Sequence, residues 1–584
     1  MRVEQQGAVG GGAASSTATT VAEHYLAVLK DRGVDFLYVG AGTDTAPIVE
    51  AYARAQASGL QFPTPVLAVH ENLAVGMAHG YYMVSGKPQA VMLHVSVGTA
   101  NAVCALMNAA RARAPMFFTS GRTPLFESGY PGSRTSEIHW AQEMYDQAGM
   151  VREFVKWEYE LRDGINVEQV VDRALNIAMA EPKGPVYLTL PREVLARAPA
   201  IGGFGRFPAT PTAAFPDATA VRRLAHALAA AEFPVIVPGL SGSDPGTVPL
   251  LASLCERFAI GIAEAKVTRQ MNAPSTHRLH LGHELGRVFP KADALLFLEN
   301  DVPWVHRQTQ PTKTAFIAHA GVDPLFVNYP VRSFPADLSI TTSVRALLDL
   351  LAVELEAMGV DRDSRVAARR QRLAQEARQW DEHVQSTIAS DAAQGGPITK
   401  LFLSHCLEQV RPSDAVVVNE YSLVREALSF DEPGTFFSLP SSGGLGWGIA
   451  AALGAKQAAP DKMVIAVVGD GAYIFNNPAA CHQAAAMHGL PVLIVVYNNE
   501  AWDAVQLAAT GMYPNQSAAR ERQERGTAPI ASLKPLPDFE RYAEASGGYG
   551  ERVTSREQLL PALRRALDVV QREKRVALLN VMGV

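Results

Sequence analysis

The chain has 584 residues, 48% of them hydrophobic and 19% charged, with a formal net charge of −6 at pH 7. That length exceeds what one hydrophobic core usually organises, so three or four globular units are expected. A mildly acidic chain without a long Lys/Arg run is not a general nucleic-acid binder, and no window approaches the roughly 20 apolar residues of a membrane-spanning helix.

In chain order, "MRVEQQGAVGGGAASSTATT" (1–20) is small and polar, lacks the apolar stretch of a secretory signal, and is read as a flexible tail. Short apolar runs follow at "DFLYVG" (35–40), "TPVLAVH" (64–70), "QAVMLHVSVG" (89–98), "PMFFTSG" (115–121) and "GPVYLTL" (184–190), with helical patterns between them. Such alternation predicts a parallel sheet covered by helices, a first domain over 21–200. After the Pro-rich "FPATPTAAFPDAT" (207–219), runs at 233–239, 292–300 and 314–321 predict a second α/β domain, 213–355. The charged helical pattern beginning "DRDSRVAARRQRL" reads as a linker, 361–395. Runs at 414–420, 435–440, 463–470, 490–499 and 576–583 predict a third domain, 396–584. The fold class expected is α/β, three tandem doubly wound parallel-sheet domains. Cys104, Cys255, Cys406 and Cys481 lie far apart without CxxC spacing, as reduced thiols of a soluble, cytoplasmic protein would.

The third domain carries the sharpest motifs. Its strand "MVIAVV" ends at Gly469-Asp470-Gly471, and the next, "LPVLIVVY", ends at Asn498-Asn499. Ligands gather at the carboxyl ends of parallel strands, and glycines let backbone amides approach an anion. A carboxylate, an amide oxygen, a backbone carbonyl and phosphate oxygens form the oxygen shell that Mg²⁺ prefers. Upstream, "LPSSGGLGWGIAAALG" holds four glycines within 443–448 before a helix opens. A GDG alone also arises by chance, and the glycine run alone also suits a tight turn with close helix packing.

GGLGWG, then GDG, then NN resembles the thiamine-diphosphate (ThDP) enzymes, in particular their acetohydroxyacid synthase, pyruvate oxidase and benzaldehyde lyase group. The first domain resembles them too, through "VLAVHENLAVGMAHGYYMVSGKPQAVMLHVSVGTANAVCALMNAARARAPMFFTSGRTP" (66–124). The resemblance implies that Glu71 activates the cofactor by bonding its aminopyrimidine. It implies that Asp470, Asn499 and the Ala501 carbonyl hold Mg²⁺, while Gly469, Gly471, Ala472, Gly443 and Gly444 lie against the cofactor and Leu445 props it into its bent form. It also implies sites between subunits, hence at least a homodimer, with a homotetramer expected. FAD or ADP in the central domain is possible by resemblance but not favoured, since "VIVPGLSGSDPG" (235–246) matches a nucleotide turn only loosely. By itself Glu71 would also serve as an ordinary acid at a helix N-terminus.

The chain departs from acetohydroxyacid synthases in "VGAGTDTAP" (39–47) and "EAWDAVQ" (500–506). Asp44 and Thr45 stand where substrate-facing groups are expected, although Asp44 equally suits a turn. Among His70, His79, His94 and His139, one proton-relaying residue is expected, with His94 and His139 ahead. Asn101, Gln142, His70 and Trp502 are candidate lining. The function expected is ThDP- and Mg²⁺-dependent C–C bond chemistry beside a carbonyl, foremost 2-oxo acid (pyruvate-type) decarboxylation with carboligation. Alternatives are a ThDP-dependent lyase or hydrolase of 2-hydroxy ketones, diketones or 2-hydroxyacyl-CoA, and a non-catalytic nucleotide-binding protein on the same fold.

Overall fold

The computed structural model describes residues 18–199 and 205–584. The tail expected over 1–20 lies outside these up to residue 17. The described residues form two compact units, one within 1–78, 87–106 and 114–211, the other within 79–86, 107–113 and 212–584.

The first unit holds a six-stranded sheet of β1 (Phe36–Val39), β2 (Thr64–Leu67), β3 (Ala90–Leu93), β4 (Phe117–Arg122), β5 (Glu158–Glu160) and β6 (Val186–Pro191), ordered β2-β1-β3-β4-β6-β5. Helices Val21–Asp31 and Val167–Met179 cover one face, where Tyr25, Leu26, Val171 and Leu175 join Leu37, Phe117 and Leu188 in one core. The first of these helices opens at a capping box: Thr20 accepts from the Glu23 N–H, and the Glu23 carboxylate accepts from the Thr20 N–H.

Two sheets lie in the second unit. One contains β7 (Pro234–Pro238), β8 (Gly261–Ile262), β9 (Ala294–Leu298), β10 (Phe316–Gly321) and β11 (Leu338–Thr341), ordered β11-β10-β9-β7-β8. The other contains β12 (Val416–Glu420), β13 (Phe436–Ser438), β14 (Val464–Gly469), β15 (Leu493–Asn498), β16 (Tyr549–Val553) and β17 (Ala577–Met582), ordered β13-β12-β14-β15-β17-β16. The 31-residue helix Ser364–Gln394 packs Leu373 and Ala377 into the core around Phe289, Phe297 and Trp304. Its buried Arg369 donates to the carbonyls of Leu228 (3.0 Å), Ala231 (2.8 Å) and Phe258 (2.6 Å), at the C-terminal ends of helices Ala218–Ala230 and Thr247–Phe258.

Every strand pairing in the three sheets is parallel, as the apolar runs predicted. In each sheet the chain steps from its first strand to its second on one side, then crosses to the other side for its third. Each sheet is therefore doubly wound, and each has a crevice at the carboxyl ends of its first and third strands. The described residues include no helix long and apolar enough to cross a membrane.

Candidate active site

At the carboxyl end of β14, Asp470 opens the short helix Asp470–Phe475 and is buried. Its Oδ1 accepts from the Gly471 N–H at 2.7 Å and its Oδ2 from the Ala501 N–H at 3.2 Å. Burial pushes the Asp470 carboxyl up, while these amides pull it down. On the neighbouring β15 the two asparagines divide the work. Asn498 makes the turn, accepting from the Glu500 N–H at 3.0 Å and donating to Asn580 Oδ1 at 3.1 Å. The Asn499 amide instead stands 3.2 Å from Asp470 Oδ2 and 3.0 Å from the Ala501 carbonyl oxygen. With its NH₂ turned inward it donates to both. With its oxygen inward, three oxygens face one another with no proton between them, an arrangement that a dication holds together.

The glycine-rich loop is held by a carboxylate that the sequence did not flag. Glu420, at the end of β12, is fully buried. Its Oε1 accepts from the Gly446 N–H (2.9 Å) and its Oε2 from the Gly448 N–H (2.8 Å) and Asn476 Nδ2 (3.0 Å). Gly446, at φ +90°, is needed there, because a Cβ would stand 2.2 Å from the Phe475 carbonyl oxygen. Asn108 grips the same loop by donating to the Gly444 carbonyl at 2.7 Å and accepting from Ser442 Oγ at 2.6 Å. Gly443 and Gly469 leave room, with no neighbour nearer than 3.5 Å to a built Cβ, and Leu445 is half-buried beside them. The half-buried Trp502 lies over Gly471, where a Cβ would come 2.2 Å from its ring. Ala472 is buried, and its carbonyl accepts from Asn476 Nδ2 at 2.8 Å.

In the first unit the crevice between β1 and β3 gathers the acid–base candidates. Asp44, buried after β1, accepts from His94 Nδ1 at 2.5 Å and from the Val95 N–H at 3.3 Å. Glycines make the space: a Cβ on Gly42 would meet His94 Nδ1 at 2.1 Å, and one on Gly121 would meet Asp44 Oδ2 at 1.7 Å. Val95 takes φ +33°, a region costly for a β-branched residue, at the turn that aims His94. The Asp44 hydrogen bond raises the His94 pKa. It also fixes Nδ1 as the bonded nitrogen and leaves Nε2, 3.4 Å from Gln142 Nε2, to exchange protons. Gln142 Oε1 is buried without a partner.

His139 is buried and accepts from the Thr135 N–H through Nδ1 at 3.1 Å, so its proton sits on Nε2, which has no partner. Burial, and then Arg192 and Arg134, lower its pKa and keep it neutral. Glu71 opens the helix Glu71–Ser85, and Asn101 Nδ2 holds its Oε2 at 2.6 Å. His70 lies 3.5 Å from the same Asn101 and accepts from the Asn72 N–H. Thr45 spends its hydroxyl on the Gly42 carbonyl at 2.6 Å. His79 is a buried neutral ring that accepts from Trp447 Nε1 at 3.2 Å, with its pKa pushed down to about 3 by burial.

Two family models match the chain: the N-terminal TPP binding domain of thiamine pyrophosphate enzymes over residues 19–150, and their C-terminal TPP binding domain over 420–581. The chain belongs to the thiamine pyrophosphate enzyme family. Thiamine diphosphate is thus its cofactor and small molecules are its substrates. Benzoylformate decarboxylase of Pseudomonas aeruginosa is 25% identical over 555 residues, covering 92% of this chain and 95% of that one. Acetolactate synthase isozyme 3 large subunit of Escherichia coli is 24% identical over 536 residues, covering 88% and 86%. The solved thiamine diphosphate-dependent 4-hydroxybenzoylformate decarboxylase of Rhodococcus jostii shares the fold with a TM-score of 0.77 at 22% identity, over 97% of this chain and 99% of that one.

Proposed function

We propose that this protein is a cytoplasmic, Mg²⁺- and ThDP-dependent enzyme that decarboxylates a 2-oxo acid and protonates the remaining acyl unit to an aldehyde. When bound, the cofactor supplies the nucleophilic carbon and the electron sink. The oxygens of Asp470, Asn499 and Ala501 fit a Mg²⁺ ion that would clamp its diphosphate, and the open cradle at Gly443 and Gly469 fits the phosphates themselves. Glu71, oriented by Asn101, would hold the proton that the aminopyrimidine needs.

The Asp44–His94 pair carries the decarboxylase reading. A histidine whose pKa is raised by a buried carboxylate, with Nε2 beside the Gln142 amide, is suited to act as a general acid. His139 Nε2–H is a neutral donor suited to the substrate carboxylate. Such an acid favours protonation over ligation to a second carbonyl, which shifts the emphasis from the carboligation expected from sequence. The resemblance, in which the pyrimidine-binding domain of one subunit faces the diphosphate-binding domain of its neighbour, supports a homodimer as the smallest working assembly and a homotetramer as the expected one.

The test offers pyruvate, a longer aliphatic 2-oxo acid and phenylglyoxylate to the protein with ThDP and Mg²⁺, with products followed by ¹H NMR. An aldehyde as the main product, lost in His94→Gln, supports the reading. Acetolactate from pyruvate would restore carboligation. Release of CO₂ from none of them, with ThDP bound, would overturn it.

A further inference from the structure

A second cluster of ligating side chains lies in the second unit, away from the residues above. Glu264 follows β8, and His280 and His283 sit on "LHLGHELG" (279–286). Glu264 Oε2 is 3.1 Å from His280 Nε2 and 3.4 Å from His283 Nε2, and the three ligand atoms lie within 4.8 Å of one another. All three residues are buried. Asn272 Nδ2 donates to Glu264 Oε1 at 3.1 Å and orients the carboxylate, as partners outside a metal's ligand shell do. Trp380 presses on Gly282, where a Cβ would stand 2.3 Å from its ring, so the turn carrying both histidines is held in place.

His283 is the unexplained member. Its Nδ1 has no hydrogen-bond partner and its Nε2 reaches only Glu264, although the residue is only 4% exposed. A buried ring whose polar atoms share one carboxylate oxygen with a second imidazole is under-satisfied, and a metal ion between the three would satisfy it. His283 also lines a cavity of about 600 Å³ at the crevice between the ends of β7 and β9, beside Gly239, Leu240, Asn300 and Asp301. A tetrahedral zinc ion with bonds of about 2.0–2.1 Å sets its ligand atoms roughly 3.3 Å apart, and the two carboxylate–imidazole distances bracket that spacing.

We propose that Glu264, His280 and His283 form a site for a transition-metal dication of the Zn²⁺ class, with its remaining coordination position open to this cavity. Two imidazoles and one carboxylate suit Zn²⁺ or Co²⁺ and not the oxygen-seeking Mg²⁺, so the site is separate from Asp470 and Asn499. His280 Nδ1 accepts from the Gly282 N–H at 3.2 Å, which leaves the ring proton on Nε2, facing Glu264. Binding a metal through Nε2 therefore requires this proton to move to Nδ1, which gives up the Gly282 hydrogen bond. Two further charges act on the cluster: Arg425 on His283 and Glu264, and Asp381 on His280.

The full chain, freed of any affinity tag and of bound metal, is titrated with Co²⁺ in excess Mg²⁺. The expected result is one equivalent bound, with the intense visible bands of a four-coordinate nitrogen-containing site, displaced by Zn²⁺. An all-oxygen site gives only faint bands. His283→Gln abolishes the intense bands and leaves circular dichroism and ThDP-dependent turnover unchanged. Absence of the bands from the parent protein, or their persistence in His283→Gln, overturns the proposal. If His283→Gln does not fold, His280→Gln replaces it under the same criteria, and the parent titration decides by itself.

Discussion

Replacing Glu420 by Gln keeps the side-chain shape and removes one acceptor from a pocket whose polar contacts are all donors. The carboxylate receives the Gly446 N–H on one oxygen, and the Gly448 N–H and Asn476 Nδ2 on the other. In the less costly orientation the new NH₂ faces Gly446, losing a hydrogen bond to a charged group worth about 1.5–3 kcal/mol. The other two become neutral and weaken by about 1 kcal/mol each. Burying an uncharged amide recovers part of this, since burial pushes the Glu420 carboxyl up. The net expectation is a loss of about 2–4 kcal/mol. For a domain of this size it lowers the midpoint of its thermal transition by roughly 5–15 °C. Because the same bonds hold the 443–448 loop, affinity for ThDP falls with it. Differential scanning calorimetry of the cofactor-free protein and a ThDP titration measure both. A midpoint within about 2 °C of the parent, converting to under about 1 kcal/mol, would mean that the carboxyl is already neutral in the folded protein and would refute the reasoning.

Asp44→Asn removes the charge that favours protonated His94. The activity limb that falls as pH rises through the His94 pKa should move to lower pH, with turnover at neutral pH falling by about 10²-fold. The sign for stability follows: a raised histidine pKa stabilises the fold fully below the unfolded value and ceases to do so as pH rises through the folded value, and Asp44→Asn removes that pH-dependent gain in denaturant titrations. Asp470→Asn takes the only carboxylate out of the proposed metal clamp, so Mg²⁺-dependent ThDP binding, followed by tryptophan fluorescence, should weaken by at least about tenfold. Arg369→Ala strands the Leu228 and Phe258 carbonyls, both buried, and the half-buried Ala231 carbonyl, and should lower thermal stability by about 3–5 kcal/mol, with kcat per folded protein unchanged.

The strands visible in the sequence were those with a continuous apolar run, because a parallel strand buried on both faces must have one. The four that were not read, β5, β8, β11 and β16, are all edge strands, short or half-exposed, and no hydrophobic run marks them. Asp470 and Asn499 were legible since strand-end punctuation is a local signal. Glu420 ends its strand in the same way, yet without flanking glycines it read as part of "DAVVVNE". The partnership of Asp44 with His94 spans 50 residues and no local pattern encodes it, which is why Asp44 stood equally as a turn residue. His79 stood only slightly behind His94 in sequence, and its burial against Trp447 separates it from the histidine that Asp44 holds.

The central claim is that Glu71 activates a cofactor clamped through Asp470 and Asn499. Its most direct test is hydrogen–deuterium exchange at the thiazolium C2 of ThDP bound to the parent protein and to Glu71→Gln, in saturating Mg²⁺. The account predicts fast exchange in the parent, and in the variant retained binding with exchange slowed by about 10²–10⁴-fold. Equal exchange rates in the two proteins would contradict it.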